Sequence, residues 1–136
     1  MKGLNINHLA VVAAIVSTFV LGFLWYGPLF GDSWMSMVGL TQADVEAGGS
    51  AGTWITNVIS SAAGMYGLAW LFAKLNVSSI AQGVMIAAII GIAFVLLPRM
   101  TNDLFASNPY GLSWITGGFE VVKLVIGGII LSAWRK

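Results

Sequence analysis

The sequence predicts an all-α, integral membrane bundle of four transmembrane helices, and three observations carry that expectation. Hydrophobic residues make up 58% of the 136 and charged residues only 8%, about a third of the charge in an ordinary soluble domain. A soluble domain of this length has too little interior to hide so much apolar surface. Four stretches, residues 7–26, 54–72, 80–97 and 112–134, reach the roughly 20 apolar residues needed to cross a hydrocarbon core of about 30 Å. Of the charged residues only Glu120 and Lys123 fall inside them. Such runs must be helical, because the bilayer offers no water to an unpaired backbone. The ten-residue alternation of a membrane β-barrel is absent. The length is that of one domain covering residues 1–136.

The first span opens after Met1 and Lys2 as a signal peptide would, but it ends in Leu24, Trp25, Tyr26, Gly27 and Pro28. No small-x-small cleavage site follows, so a retained span is expected. Trp25 and Tyr26 read as interfacial anchors, and Trp54, Trp114 and Trp134 as further markers of span ends. Pro28 and Pro98 are each expected to stop a helix at the outer surface, since proline lacks an amide donor and clashes with the preceding turn. Outer loops then cover residues 27–53 and 98–111. Within the first, residues 31–40 carry Trp34, Met35, Met37 and Val38 and suit a short helix in the headgroup layer. Thr41 and Asp44 read as a capping box for another short turn. Residues 48–52 form a glycine-rich flexible linker into the second span.

Basic residues orient the bundle. Lys2, Lys74, Arg135 and Lys136 lie at one set of helix ends, whereas the other set holds Arg99 alone, and the first outer loop holds only Asp32, Asp44 and Glu46. The positive-inside rule puts both termini in the cytoplasm. The two halves also read as a candidate parallel repeat of helical hairpins. Thr53, Trp54, Ile55 and Thr56 open one returning helix, and Ser113, Trp114, Ile115 and Thr116 open the other.

The stretch Gly22, Trp25, Tyr26, Gly27, Pro28, Leu29, Phe30, Gly31, Asp32 and Trp34 is more specific than composition. With Leu97 and Pro98, Asn102 to Phe105, Trp114, Ile115, Gly118, Phe119 and the closing Gly127 to Trp134, it resembles small bacterial four-helix membrane proteins of the "domain of unknown function 1761" family. The resemblance implies four spans and a bacterial inner (cytoplasmic) membrane, and it brings no activity. It also implies an aromatic or polar residue near position 120, which makes the Glu120/Lys123 pair a feature of this chain.

Glu120 and Lys123 are the leading candidates for chemistry. Counting from Ser113 at about 1.5 Å per residue, they lie roughly 10 and 15 Å below the outer surface. Their spacing of three puts them on one helical face, along with Thr116 and Gly127. Ionisable groups at that depth belong against protein or water rather than lipid. Two readings stay open: a proton or ion relay, or a neutralised pair that sets helix register. Asn57, Ser60, Ser61, Gly64 and Gly67 form the facing stripe on the second span. Gly83, Ala87 and Gly91 make a small-residue row on the third span. Together with Gly127 and Gly128 on the fourth, these rows predict a homo-oligomer, a dimer or trimer, packed through them. Arg99, Asn102 and Asp103 are outer-mouth candidates, with Arg99 and Asp103 spaced to pair if the helix continues.

The exclusions are equally definite. Zero cysteines remove disulfides, cysteine metal sites and thiol redox chemistry. His8 has no companion ligands, so no metal site and no cofactor is expected. A net charge of +1 provides no basic patch for nucleic acid. HExxH, GxxxxGK[ST] and GxSxG motifs are absent, which weighs against an enzyme. Three functions remain: an oligomeric ion, proton or small-solute pore or transporter built on the Glu/Lys pair; a non-catalytic assembly that binds lipid or another membrane protein; and an intramembrane enzyme acting on a lipid or quinone-like molecule through Glu120.

Overall fold

The structure, a computed structural model, describes residues 5–135. Lys2 and Lys136, two of the charges used to orient the bundle, lie outside the described residues. Helix α1 (His8–Leu24) starts where the Asn7 side chain accepts the Ala10 amide at 3.2 Å, a good N-cap for an otherwise apolar helix. It buries one face through Ala10, Val11, Ala14 and Thr18. Pro28 does not end it abruptly. The chain widens into a π turn over Trp25–Leu29, in which the Phe30 amide reaches back to the Trp25 carbonyl at 2.8 Å.

Helix α2 (Gly31–Val38) follows at once and is closed by Gly39 at φ 76°, a left-handed position that suits glycine. Helix α3 (Gln42–Ala47) is the short turn foreseen at Thr41, and its capping box with Asp44 is formed. The glycine linker is shorter than expected, because the Ser50 side chain caps α4 (Ala51–Lys74) by accepting the Thr53 amide.

The third span corrects the sequence reading. Helix α5 (Ile80–Ile89) passes through a π segment (Ile90–Leu96) directly into α6 (Leu97–Phe105). Pro98 therefore sits near the start of a helix rather than at its end. The wider register ahead of it, with the Leu97 amide on the Ile92 carbonyl, opens the turn that the proline ring would otherwise crowd. Most of the outer loop expected at 98–111 is thus helical. Helix α7 (Tyr110–Ala133) returns after a turn with Ser107 at φ 59°. Four helices are long and apolar enough to cross a membrane: His8–Leu29, Ala51–Lys74, Ile80–Phe105 and Tyr110–Ala133.

Helix α7 is the hub, packed chiefly on α1 and on the whole third span, with α4 held more lightly. Its glycines explain how. A Cβ on Gly127 would lie 2.6 Å from the Met65 sulfur of α4, whereas one on Gly128 would lie 3.0 Å from the Ala87 Cβ of α5. Neighbouring glycines thus admit different helices. On the third span, a Cβ on Gly83 would meet the Ser132 Oγ at 2.7 Å, and one on Gly91 the Val121 Cα at 3.0 Å. The small-residue rows of the third and fourth spans are consequently used for close packing within one chain. Close approach of backbones is what small residues permit in helix packing.

The two ends of the described chain lie together. The Asn7 side chain donates to the Trp134 carbonyl, and the Arg135 guanidinium donates to the Val77 carbonyl in the turn after α4. Helix α4 diverges from the bundle in the other direction. Every residue from 51 to 60 is exposed, and burial resumes only at Ser61 and Met65.

Candidate functional site

The divergence of α4 opens a cleft of about 370 Å³ between it and the π segment of the third span, floored by α7. Glu120, Lys123 and Leu124 form the floor; Ser60, Ser61, Gly64, Gly67 and Leu71 line the α4 side, and Ile90 and Val95 the other. Glu120 and Lys123 form an ion pair, with side chains 24% and 14% exposed respectively. The spacing of three on one helix makes this contact geometrically natural. Lys123 also stands 5.8 Å from the centre of the Phe119 ring, within cation–π range.

The α4 wall is polar at one end. Ser60 is exposed. Ser61 is only 4% exposed, lines the cleft, and makes no hydrogen bond among the described residues. A Cβ on Gly64 or Gly67 would have nothing within 4 Å, so these glycines face open space and not a packed neighbour.

Other expected members stay out of the cleft. Asn57 is exposed and lies beyond its rim, because α4 has already left the bundle at that level. Thr116 turns its hydroxyl back to the Leu112 carbonyl of its own helix, at 3.1 Å. Ser113 is fully buried and donates to Asp103 Oδ2 at 2.8 Å. Asp103 also accepts from the Asn108 side chain at 3.2 Å. The helix does continue past Arg99, yet Asp103 turns towards α7 and forms no ion pair with Arg99. Asn102 is exposed, its carbonyl accepting the Ala106 amide within the turn. His8 joins Tyr66 of α4 at 3.0 Å. No group of three metal-ligating side chains occurs among the described residues.

An aromatic cluster beside the cleft was not foreseen. Trp25 is turned inward, against its expected role as an interfacial anchor, and its indole donates to the Ile115 carbonyl at 2.9 Å. The Trp25 ring lies 4.7 Å from Phe30, and Tyr26 lies 5.0 Å from Trp34 and 5.3 Å from Phe119. Tyr26 is also near enough to Glu120 and Arg99 to feel both charges. The spacing of four between Tyr26, Phe30 and Trp34 was the available signal. It is obscured by the break at Pro28, which the π turn bridges. Gly31 lets α2 dock there, since a Cβ would lie 2.7 Å from the Tyr26 carbonyl oxygen.

No curated protein and no solved structure matches the chain. The family model described as "Protein of unknown function (DUF1761)" matches residues 9–132, a stretch holding both the aromatic cluster and the Glu120–Lys123 cleft, and the chain belongs to that family.

Proposed function

We propose that this chain is a small-solute or proton carrier of a bacterial inner membrane, acting at the Glu120–Lys123 cleft. The observation that carries the reading is that the ion pair stands open to a cleft lined by Ser60 and Ser61. A pair serving only to set register gains nothing from a cavity beside it. Ionisable groups facing a cavity within a span are the usual elements of proton and ion pathways. Lys74 and Arg135 lie at the end shared by both termini, against Arg99 at the other. That asymmetry supports cytoplasmic termini. The bacterial membrane follows from the family resemblance.

The test is proton and ion flux into liposomes holding the purified protein, with wild type beside Glu120→Gln. Flux lost in a folded variant supports the carrier reading, and no wild-type flux for any ion or pH gradient tried overturns it for those species.

A second reading, assembly through α4, rests on a separate observation. Residues 51–60 touch nothing that buries them, and Gly64 and Gly67 have no neighbour. A second copy is the natural cover for a helix bearing small and polar residues in lipid. Disulfide trapping through Gly64→Cys in membranes tests it: a crosslinked dimer supports the reading, and a crosslink-free monomer overturns it.

A further inference from the structure

We propose that the cleft binds an uncharged amphiphile whose small head both donates and accepts a hydrogen bond. This inference rests on the reading of the Glu120–Lys123 cleft as a working site.

The lining is graded along the membrane normal. Met65 against Gly127 sets the register of α4 on α7, which puts Ser61 level with Lys123. The polar groups Ser60, Ser61, Glu120 and Lys123 thus share one level, while Leu68 and Leu71 lie about two and three turns further along α4. A head at the first level leaves its tail against Leu68 and Leu71. The volume of about 370 Å³ is at the small end of ligand sites, which run from roughly 300 to 1,000 Å³.

Charge decides the class of head. Glu120 and Lys123 neutralise each other, so a cation or an anion meets one like charge along with its partner. A neutral hydroxyl meets no such penalty: it donates to the free carboxylate lone pairs and accepts from the remaining ammonium hydrogens or from Ser61. The Ser61 hydroxyl lines the cleft, makes no hydrogen bond among the described residues and is not sealed from the cleft, so it supplies the further donor.

Access decides the route. The cleft lies between two spans at mid-helix, and Ser60, Gly64 and Gly67 leave its side open. Entry is therefore lateral, from the hydrocarbon, and suits a molecule that already partitions there.

The experiment uses the full chain in lipid nanodiscs with hexadecanol bearing a diazirine on its tail. Hexadecyltrimethylammonium and hexadecyl sulfate carry the same tail as charged comparisons. Saturable labelling of α4 and α7 peptides by the alcohol, exceeding that by either charged probe, is expected. Gly64→Leu, which fills the cleft, should remove it, and Val12→Leu on the exposed face of α1 should not. Ser61→Ala, which leaves the shape nearly unchanged, should weaken labelling about five-fold, the equivalent of one neutral hydrogen bond. Labelling that does not saturate, that survives Gly64→Leu, or that favours a charged head overturns the proposal. Flux without alcohol binding overturns this ligand class and leaves the carrier reading standing. Saturable binding without flux does the reverse.

Discussion

The indole of Trp25 donates to the Ile115 carbonyl, joining the π turn at the end of α1 to the N-terminal half of α7 across ninety residues of sequence. This bond turns a residue that composition assigns to the membrane interface into an interior tie. Phe30 and Phe119 pack around it, with ring centres 4.7 and 6.2 Å from Trp25. Trp25→Phe keeps most of the apolar contact and removes the donor. The expected loss is about 1 kcal/mol, read as a lower thermal unfolding midpoint in detergent.

Glycines in this chain are not equivalent. Gly83→Val forces side-chain atoms into Ser132 and the Gly128 carbonyl, and overpacking of this kind costs about 1–3 kcal/mol. Gly64→Ala meets nothing within 4 Å, and alanine is the better helix former by roughly 0.5–1 kcal/mol. Unfolding of the two variants should move in opposite directions.

The ion pair gives a double-mutant cycle. Lys123→Met leaves Glu120 without its partner in a mostly apolar cleft, and Glu120→Gln strands Lys123. Each single change should destabilise by roughly 2 kcal/mol, and the double variant by less than the sum of the two. Additive losses would mean that the two charges act separately.

Ser113 is the buried half of a contact that closes the end of the bundle away from the termini, where Asp103 accepts both its hydroxyl and the Asn108 amide. Ser113→Ala should cost about 1–2 kcal/mol and speed hydrogen exchange in the turn at residues 106–109. Arg99→Gln should leave both quantities unchanged.

Asp44 brings a pH dependence outside the spans. The Thr41 backbone amide and then its hydroxyl donate to the carboxylate, at 2.9 and 2.8 Å, and hold its pKa below the usual aspartate value. A folded-state pKa below the unfolded value of about 3.9 means that the cap is fully present above that pH and lost as pH falls through the folded value. Backbone chemical shifts of α3 should thus stay helical from neutral pH down to about pH 4 and move to coil below it. Asp44→Asn should flatten that titration.

Much of the architecture was legible because it depends on quantities a linear chain carries. Apolar run length gave four span-length helices, and the three-residue spacing brought Glu120 to Lys123. The local pattern of Thr41 and Asp44 gave a formed cap. The π turns were not legible. Pro28 and Pro98 read as stops because proline removes an amide, yet whether the chain breaks or widens depends on what packs around the turn. Arg99 and Asp103 were correctly spaced, but Ser113 on another helix offered Asp103 a buried donor. The glycine rows of the third and fourth spans marked close helix packing, but not that α5 and α7 meet through them within one chain.

The sequence by itself determined that the chain is helical and membrane-like, and that one charged pair lies within a span, because hydrophobic length and helical periodicity are local properties. Only the tertiary structure decided that α7 stands at the centre and that α4 leaves the bundle above Ser61. That departure leaves Glu120 and Lys123 facing a cleft. Which faces meet depends on shape complementarity between segments distant in sequence, and apolar composition is much the same on every side of these helices.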